Sequence, residues 1–282
     1  MIHEEVLRIL SCSVCSHPEL EPVAQGPAGV VCPACDQHYP VKEGILDLYL
    51  DQPVAQENRD VIRLFDEWWG EAYHFLSSHP ILCYPFFRLM WRVPVFQTLS
   101  YFRKIFSAPP PGELLIDLPV GGGAAFHWFA RWKTAPQIVG IDLSWEMLKR
   151  ADRTRRKLGM RNVTLIRADA MRLPIRDESV ESVFTLNGLH CIPDKKRTLL
   201  EISRILAPEG RCYGTSLVVQ THRWTDFVFR KMEARGFLAP GVTKERLEQM
   251  LEESGLTLWE EETAGALHCF VAQRPAPAAQ EA

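Results

Sequence analysis

The spacing of apolar positions changes along the chain, and the change divides it. From Glu113 onward, short apolar runs alternate with stretches whose apolar residues recur every three or four positions. ELLIDL, QIVGIDL, VTLIRAD, VESVFTLN and RCYGTSLVV have the length and composition of buried strands. GAAFHWFARW, SWEMLKRADRTRRKLG and DKKRTLLEISRIL read as helices between them. Ser144 stands at the N-cap position of the second helix, and Leu199, Ile202 and Leu206 fall on one stripe of the third. LTLWEEETAG and ALHCFVAQR read as a terminal hairpin. Strand-helix alternation of this kind predicts a mostly parallel sheet with helices on both faces.

Ahead of this region lies a breaker, Ala108-Pro109-Pro110-Pro111-Gly112. Residues 54–107 are aromatic-rich and read as a helical cap or lid. Residues 1–50 carry CxxC pairs and few long periodic stretches. The expected organisation is a small module over 1–50, the cap over 54–107, and a main domain over 112–274. Within the main domain, 220–254 is expected as a second part of the lid. Residues 275–282, rich in Pro and Ala, read as a disordered tail.

Composition narrows the function only a little. The 282 residues are 46% hydrophobic, enough for a sizeable core, and the formal net charge is −3. That balance gives no global attraction to nucleic acid or to an anionic membrane. No stretch approaches the ~20 apolar residues of a membrane span. The opening MIHEEVLRIL, with two acids, does not read as a secretory signal. A cytoplasmic protein is expected.

Four of the eight cysteines stand as Cys12-Ser-Val-Cys15 and Cys32-Pro-Ala-Cys35. Each pair puts two thiolates on one tight turn, and two such turns complete a tetrahedral site of the kind zinc prefers. A segment this short has little core, so Zn2+ would supply much of its folding energy. Four protein ligands leave no open position, so the expected role is structural. The run HYPVKEGILDLYL that follows resembles the end of zinc ribbons found in RNA-modifying methyltransferases and their partner proteins.

The stretch DLPVGGGAAFHWFA raises the question of a ligand. A strand ending in Asp117 leads through three glycines into a helix, the arrangement at which doubly wound sheets bind ligands. A second strand ends in Asp142, at a distance suited to a ribose diol. A third leads to Asp169. Three acids at successive strand ends repel a pyrophosphate and favour a cationic, ribose-bearing ligand.

These segments together resemble class I S-adenosylmethionine-dependent methyltransferases, in particular the quinone-biosynthesis C-methyltransferases. The resemblance runs over about 100 residues, from DLPVGGG through IVGIDLSWEMLKRA and RADAMRLPIRDESVESVFTLNGLHCIPD to RILAPEGRCYGTSL. It implies a Rossmann-like α/β sheet and S-adenosylmethionine as cofactor. Asp117, Gly121 and Gly123 would form the glycine loop, Asp142 with Leu143 the ribose site, and Asp169 with Ala170 the adenine site. Asn187 and His190 follow the fourth strand, beside the methyl group. Pro119 departs from the family's first loop glycine. Its fixed φ and missing N–H are compatible with binding if that position needs neither positive φ nor a donor.

Methyl transfer needs alignment and exclusion of water, and a base only where the acceptor must lose a proton. His190 is one candidate base. His222 is a candidate for bordering the acceptor pocket, as are Trp68, Trp69, Tyr73, Phe86, Phe87 and Trp91. NGLH replaces the Asn/Asp-Pro-Pro-aromatic run of base amino-methylating enzymes, and no Pro-Cys dipeptide occurs, which weighs against cytosine C5 chemistry. The leading expectation is therefore a small, apolar or aromatic acceptor. An RNA base methyltransferase is the alternative, because a ribbon before this core resembles rRNA guanine-N1 methyltransferases and because basic residues run from Lys149 to Arg176. Against it, residues 1–50 hold only Arg8 and Lys42 as cations against several acids. A non-catalytic scaffold is the third reading, and a homodimer stays open.

Overall fold

The computed structural model describes residues 2–24, 26–49, 75, 79 and 84–276. The N-terminal segment forms one helical turn, α1 (Glu4–Leu7), and four short strands: β1 (Glu21–Pro22), β2 (Gly29–Val31), β3 (His38–Lys42) and β4 (Ile45–Asp47). Helices α2 (Tyr84–Trp91) and α3 (Val95–Ile105) come next. The alternating part then runs β5 (Leu114–Asp117), α4 (Phe126–Phe129), β6 (Gln137–Asp142), α5 (Trp145–Lys157), β7 (Val163–Arg167), β8 (Val180–Leu186), α6 (Lys195–Ile205) and β9 (Leu206–Leu217). Helices α7 (Arg223–Glu233) and α8 (Lys244–Glu253) precede the hairpin β10 (Thr257–Ala264) and β11 (Leu267–Gln273).

The strands join in the order β1-β2-β3-β4-β7-β6-β5-β8-β9-β11-β10. Pairing is parallel from β4 to β9 and antiparallel in the hairpin, as the alternation predicts. The central strands are apolar because both faces are covered. All four residues of β5 are buried, as are Ile138, Val139 and Ile141 on β6. The chain order reverses between β5 and β8, so the loops after these strands open a crevice there.

The N-terminal strands continue this sheet. Strand β4 lies parallel to β7, with Ile45 opposite Leu165, Leu46 opposite Ile166 and Asp47 opposite Arg167. A second attachment lies beyond β7, where Leu10 bridges Ile175 and Ser11 N–H donates to the Pro174 carbonyl at 3.0 Å. Val6, Leu10, Tyr39, Leu46 and Leu48 belong to one buried cluster with Ile116, Val139 and Ile166. The cysteine-bearing segment thus shares its core with one face of the sheet. The opposite face packs Phe126, Phe129, Trp132 and Leu148 against Leu115, Ile138 and Phe184.

Two helix expectations need correction. GAAFHWFARW is helical only over Phe126–Phe129. Gly121 and Gly123 take positive φ, Gly123 N–H turns back to the Val120 carbonyl, and the chain spends these residues in turns. In DKKRTLLEISRIL the helix stops at Ile205, capped at its start by the Asp194 side chain. Leu206 is extended and opens β9, though its side chain stays buried. The Ser144 cap is formed as expected, accepting from Met147 N–H at 3.1 Å. Much of 54–107, including Trp68, Trp69 and Tyr73, lies outside the described residues, as do 277–282. No helix among the described residues is long and apolar enough to cross a membrane.

Candidate functional site

A cavity of about 180 Å³ opens at the strand ends around the switch point. Asp117, Asp142 and Asp169 line it from β5, β6 and the segment after β7, with Pro119, Gly121, Gly122, Leu143 and Ala170. Phe102, Phe106 and Trp128 add aromatic surface to the lining, with Met147 and Ile192.

Each carboxylate is held differently. Asp142 accepts from Gly121 N–H and Ser144 N–H, both at 2.9 Å, so it ties the glycine loop to the start of α5. Asp169 accepts from Met171 N–H at 2.9 Å, closing its own turn. Burial raises the Asp169 pKa against that hydrogen bond, which lowers it. Asp117 is 2% exposed, and its Oδ2 has no hydrogen-bond partner among the described residues. Burial, then the neighbouring Asp142 charge, pushes the Asp117 pKa well above the carboxylate range. A buried polar atom left without a partner is costly, and the residue that carries this one lines the cavity. A donor or cation placed there would relieve the cost.

The loop is shaped for close approach. Gly121 sits at φ +52° with open space where a Cβ would stand. Gly123 sits at φ +78°, where a Cβ would collide with the Phe126 ring. The Leu118–Pro119 peptide is cis, and the Pro119 ring fills the space that a Cβ at Gly188 would need. The neighbouring amides are engaged. Leu118 N–H donates to the Phe184 carbonyl and Val120 N–H to the Ile141 carbonyl, each at 2.8 Å.

The aromatic lining is backed by more aromatics. Phe106 stacks on Trp128 at 5.4 Å between ring centroids and on Phe184 at 5.5 Å, and Phe184 stacks on Tyr213 at 4.6 Å. Two hydrogen bonds fix this layer: Tyr101 Oη donates to the Phe270 carbonyl at 3.1 Å, and Trp132 Nε1 to the Phe106 carbonyl at 3.0 Å.

A second cluster stands in the N-terminal segment. The sulfurs of Cys12, Cys15, Cys32 and Cys35 all lie within 4.8 Å of one another. Cys12 and Cys35 are 3.6 Å apart, as are Cys15 and Cys32. These separations are too long for disulfides and close to the ~3.8 Å edge of a tetrahedron with ~2.3 Å metal–sulfur bonds. Both CxxC turns fold alike. Ser16 N–H donates to the Cys12 carbonyl and Asp36 N–H to the Cys32 carbonyl, each at 2.9 Å. Ser16 and Asp36 both take positive φ. Tyr39 Oη lies 3.0 Å from Cys12 Sγ. The donor set and its spacing fit Zn2+.

Residues 116–214 match the sequence family described as Methyltransferase domain. The fold is that of the class I methyltransferases. An arsenite methyltransferase of Halobacterium salinarum is 34% identical over 54% of this chain, but the match spans only 39% of that protein's length. An uncharacterized chloroplastic methyltransferase of Arabidopsis thaliana is 23% identical over 97% of this chain and 80% of its own. Among solved structures, a complex of the Haloferax volcanii Trm112 methyltransferase activator with a candidate methyltransferase superposes with a TM-score of 0.55. That match is 18% identical and covers 77% of this chain and 98% of the other.

Of the residues singled out from sequence, the fold brings Asp117, Pro119, Gly121, Asp142, Leu143, Asp169, Ala170 and Asn187 to one cavity. Gly123 shapes the loop without lining it. Asn187 takes positive φ and shares two hydrogen bonds with Thr215: its N–H donates to Oγ1 at 2.8 Å, and its Oδ1 accepts from Oγ1 at 3.1 Å.

The two candidate histidines are not brought to the cavity. His190 is 4% exposed, and its Nδ1 accepts from Leu217 N–H at 3.3 Å. Burial lowers its pKa to about 3, which keeps the ring neutral. His222 caps α7, its Nδ1 accepting from Trp224 N–H at 3.1 Å. Phe86, Phe87 and Trp91 lie outside the cavity lining too, and Trp91 packs edge-on against Phe229. Trp68, Trp69 and Tyr73, the other expected lining residues, lie outside the described residues, while Phe102 and Phe106 come from the end of the same aromatic-rich stretch. Phe102 and Phe106 stand one helical turn apart, a spacing every packed helix shows, so it carries little signal by itself.

Proposed function

We propose that this chain is an S-adenosylmethionine-dependent methyltransferase that acts on a small, apolar or aromatic acceptor. The observation that carries the reading is the cavity's mixed lining. Three carboxylates, one of them orphaned and buried, line the same cavity as a glycine loop and three aromatic rings. The carboxylates suit a cationic ligand with a ribose diol, and the rings suit a planar or apolar acceptor. Asp142 would hold the ribose, Asp169 and Ala170 the adenine, and Asp117 and the glycine loop the amino-acid part. When bound, S-adenosylmethionine supplies an activated methyl group on a sulfonium.

The remaining work falls to this chain's own groups. Phe102, Phe106 and Trp128 would orient the acceptor and exclude water. Titratable side chains lining the cavity, among the described residues, are the three aspartates and Cys191. Burial raises the Cys191 thiol to about 12, so it is protonated near neutral pH and makes a poor nucleophile. With no histidine among the described residues facing the cavity, the acceptor would arrive as its own nucleophile: an amine, a thiolate, or a phenol or enol that ionises readily. Arsenite, a soft acceptor best held by several thiolates, would find one cysteine among the described residues of this lining.

RNA is the weaker reading. Arg155 and Arg156 pair with Asp152 at 2.6 and 2.7 Å, Lys149 pairs with Glu146 at 3.1 Å, and Arg150 is buried. The basic run is largely spent on internal partners. The cysteine cluster would bind Zn2+ structurally, and the aromatic segment over 54–107 with 220–254 would cover the site. The insertion contacts the loop after β8, where Lys195 donates to the Ile192 and Pro240 carbonyls at 3.1 and 2.9 Å.

Calorimetric titration of the zinc-loaded chain with S-adenosylhomocysteine tests the reading. Micromolar binding is expected. No binding by folded protein would move the assignment to a scaffold.

A further inference from the structure

Arg167 ends β7 and is 8% exposed. A buried guanidinium demands partners, and this one has them on two sides. Its Nε donates to the Leu143 carbonyl at 3.1 Å, and Leu143 lines the cavity directly after Asp142. Its Nη1 lies 3.6 Å from Asp47 Oδ1, at the end of the N-terminal segment's last strand. The planar group also lies over the rings of Tyr49 and Trp145, each about 5.1 Å from centroid to Cζ. Tyr49 follows β4, and Trp145 opens α5. One side chain therefore touches the N-terminal segment and the wall of the cofactor cavity at once.

The path back to the cysteines is short and made of hydrogen-bonded backbone. Cys32 N–H donates to the Gln37 carbonyl at 3.0 Å; β3 follows and pairs with β4, whose last residue is Asp47. The second attachment, Leu10 with Ile175, grips the chain beyond Asp169 and Ala170. The segment that bears these two cavity residues is thus held at Arg167 on one side and at Ile175 on the other, both times by the cysteine-bearing segment.

We propose that Arg167 is a positioning residue for the cofactor site, through which the metal-bound N-terminal segment sets the affinity for the nucleoside of S-adenosylmethionine. The inference rests on the methyltransferase and zinc readings above. Arg167 touches the cavity through the Leu143 carbonyl, so it acts by fixing the Asp142–Leu143 corner. Releasing metal loosens β3 and β4, withdraws Asp47 and Tyr49, and frees the guanidinium to leave Leu143. Coupling of this kind is reciprocal: cofactor binding should tighten metal retention by the same factor.

The test uses the full chain and three readouts. Arg167→Met keeps the aliphatic stem and removes the donors; it should weaken S-adenosylhomocysteine binding about tenfold by calorimetry, well below its melting temperature. Chelation of the wild-type metal should weaken binding several-fold, and chelation of Arg167→Met should add little further. S-adenosylhomocysteine should slow metal transfer to a chromogenic chelator in the wild type more than in the variant. Asp47→Asn, which preserves the packing, should give a smaller loss in the same direction. If Arg167→Met does not fold, the chelation and Asp47→Asn measurements decide. A variant that melts earlier yet binds with wild-type affinity, or a wild type whose affinity ignores chelation, overturns the inference and leaves the methyltransferase reading intact. A zinc-loaded wild type that binds no S-adenosylhomocysteine overturns both.

Discussion

The cysteine cluster and the strand-end cavity are built in opposite ways. All four cysteines come from two copies of one short turn, and local hydrogen bonds at Ser16 and Asp36 aim the sulfurs. The cavity takes its residues from α3 to the loop after β8, and no local rule aims them. Asp142 reaches back 21 residues to Gly121, and Phe106 meets Trp128 only because both lie on the same face of the sheet. A site made from turns depends on its ligand to hold it, whereas a site made from strand ends is held by the core.

The sharpest way to break the comparison is to remove one sulfur. Cys32→Ser should release zinc, disorder β1 and β2 and loosen β3 and β4, because metal binding carries about 10–16 kcal/mol in zinc-finger peptides. Metal analysis together with amide exchange across residues 10–42 would read the loss. Full zinc content in the variant would contradict the ligand set.

The cavity should respond with lost affinity and retained fold. Asp142→Ala removes the acceptor of two backbone N–H groups and the expected ribose contact, worth about 1.5–3 kcal/mol for each charged hydrogen bond lost. S-adenosylhomocysteine affinity should fall about 100-fold. Unchanged affinity by calorimetry would refute the ribose assignment.

Asp117 sharpens the contrast, because stability and binding should move in opposite directions. Its pKa is raised in the folded chain. Between the ordinary carboxylate range and that raised value, the folded chain keeps a proton that the unfolded chain has lost. Stability without ligand therefore falls as pH rises through this window. Asp117→Asn should remove that slope and raise the melting temperature at neutral pH, while weakening S-adenosylhomocysteine binding about tenfold. Thermal melts from about pH 4 to 8, with and without ligand, would show it. A variant less stable than wild type at neutral pH would contradict the orphaned carboxylate.

The smallest effect belongs to His190. Its ring is buried and neutral, so His190→Gln should cost some stability and leave the pH dependence of methyl transfer in place. A lost acidic limb would return it to the role of base.

Legibility in the sequence followed the same divide. CxxC spacing announces a metal turn because the turn is the site. The central sheet was legible because β5, β6 and β7 are buried on both faces and read as unbroken apolar runs. The strand-end acids were legible because backbone geometry alone places Asp117 and Asp142 at one edge. Asp117 as an orphan was not, since partnership depends on everything packed around it. The aromatic lining was legible only as a stretch: 54–107 reads as aromatic cap, but which of its rings reach the cavity, here Phe102 and Phe106 with Trp128, depends on which helix faces the opening. His190 misled for a similar reason: its place after β8 suggested the cavity, but the short helix Leu189–Cys191 turns the ring toward Leu217.

The pairing of β4 with β7 has a consequence for the sheet's two open borders. A sheet border is a row of unpaired amides that invites another chain. At the hairpin end, β10 meets this with Glu260, Glu261 and Glu262 and with an irregular register near Leu258. The β7 end has apolar Val163, Leu165 and Ile166 with one buried charge, Arg167, and it is closed by the chain's own N-terminal strands. Cutting the protein before the cap would leave a methyltransferase fold with one guarded border and one sticky border, so full-length expression should remain dispersed where a truncated chain self-associates.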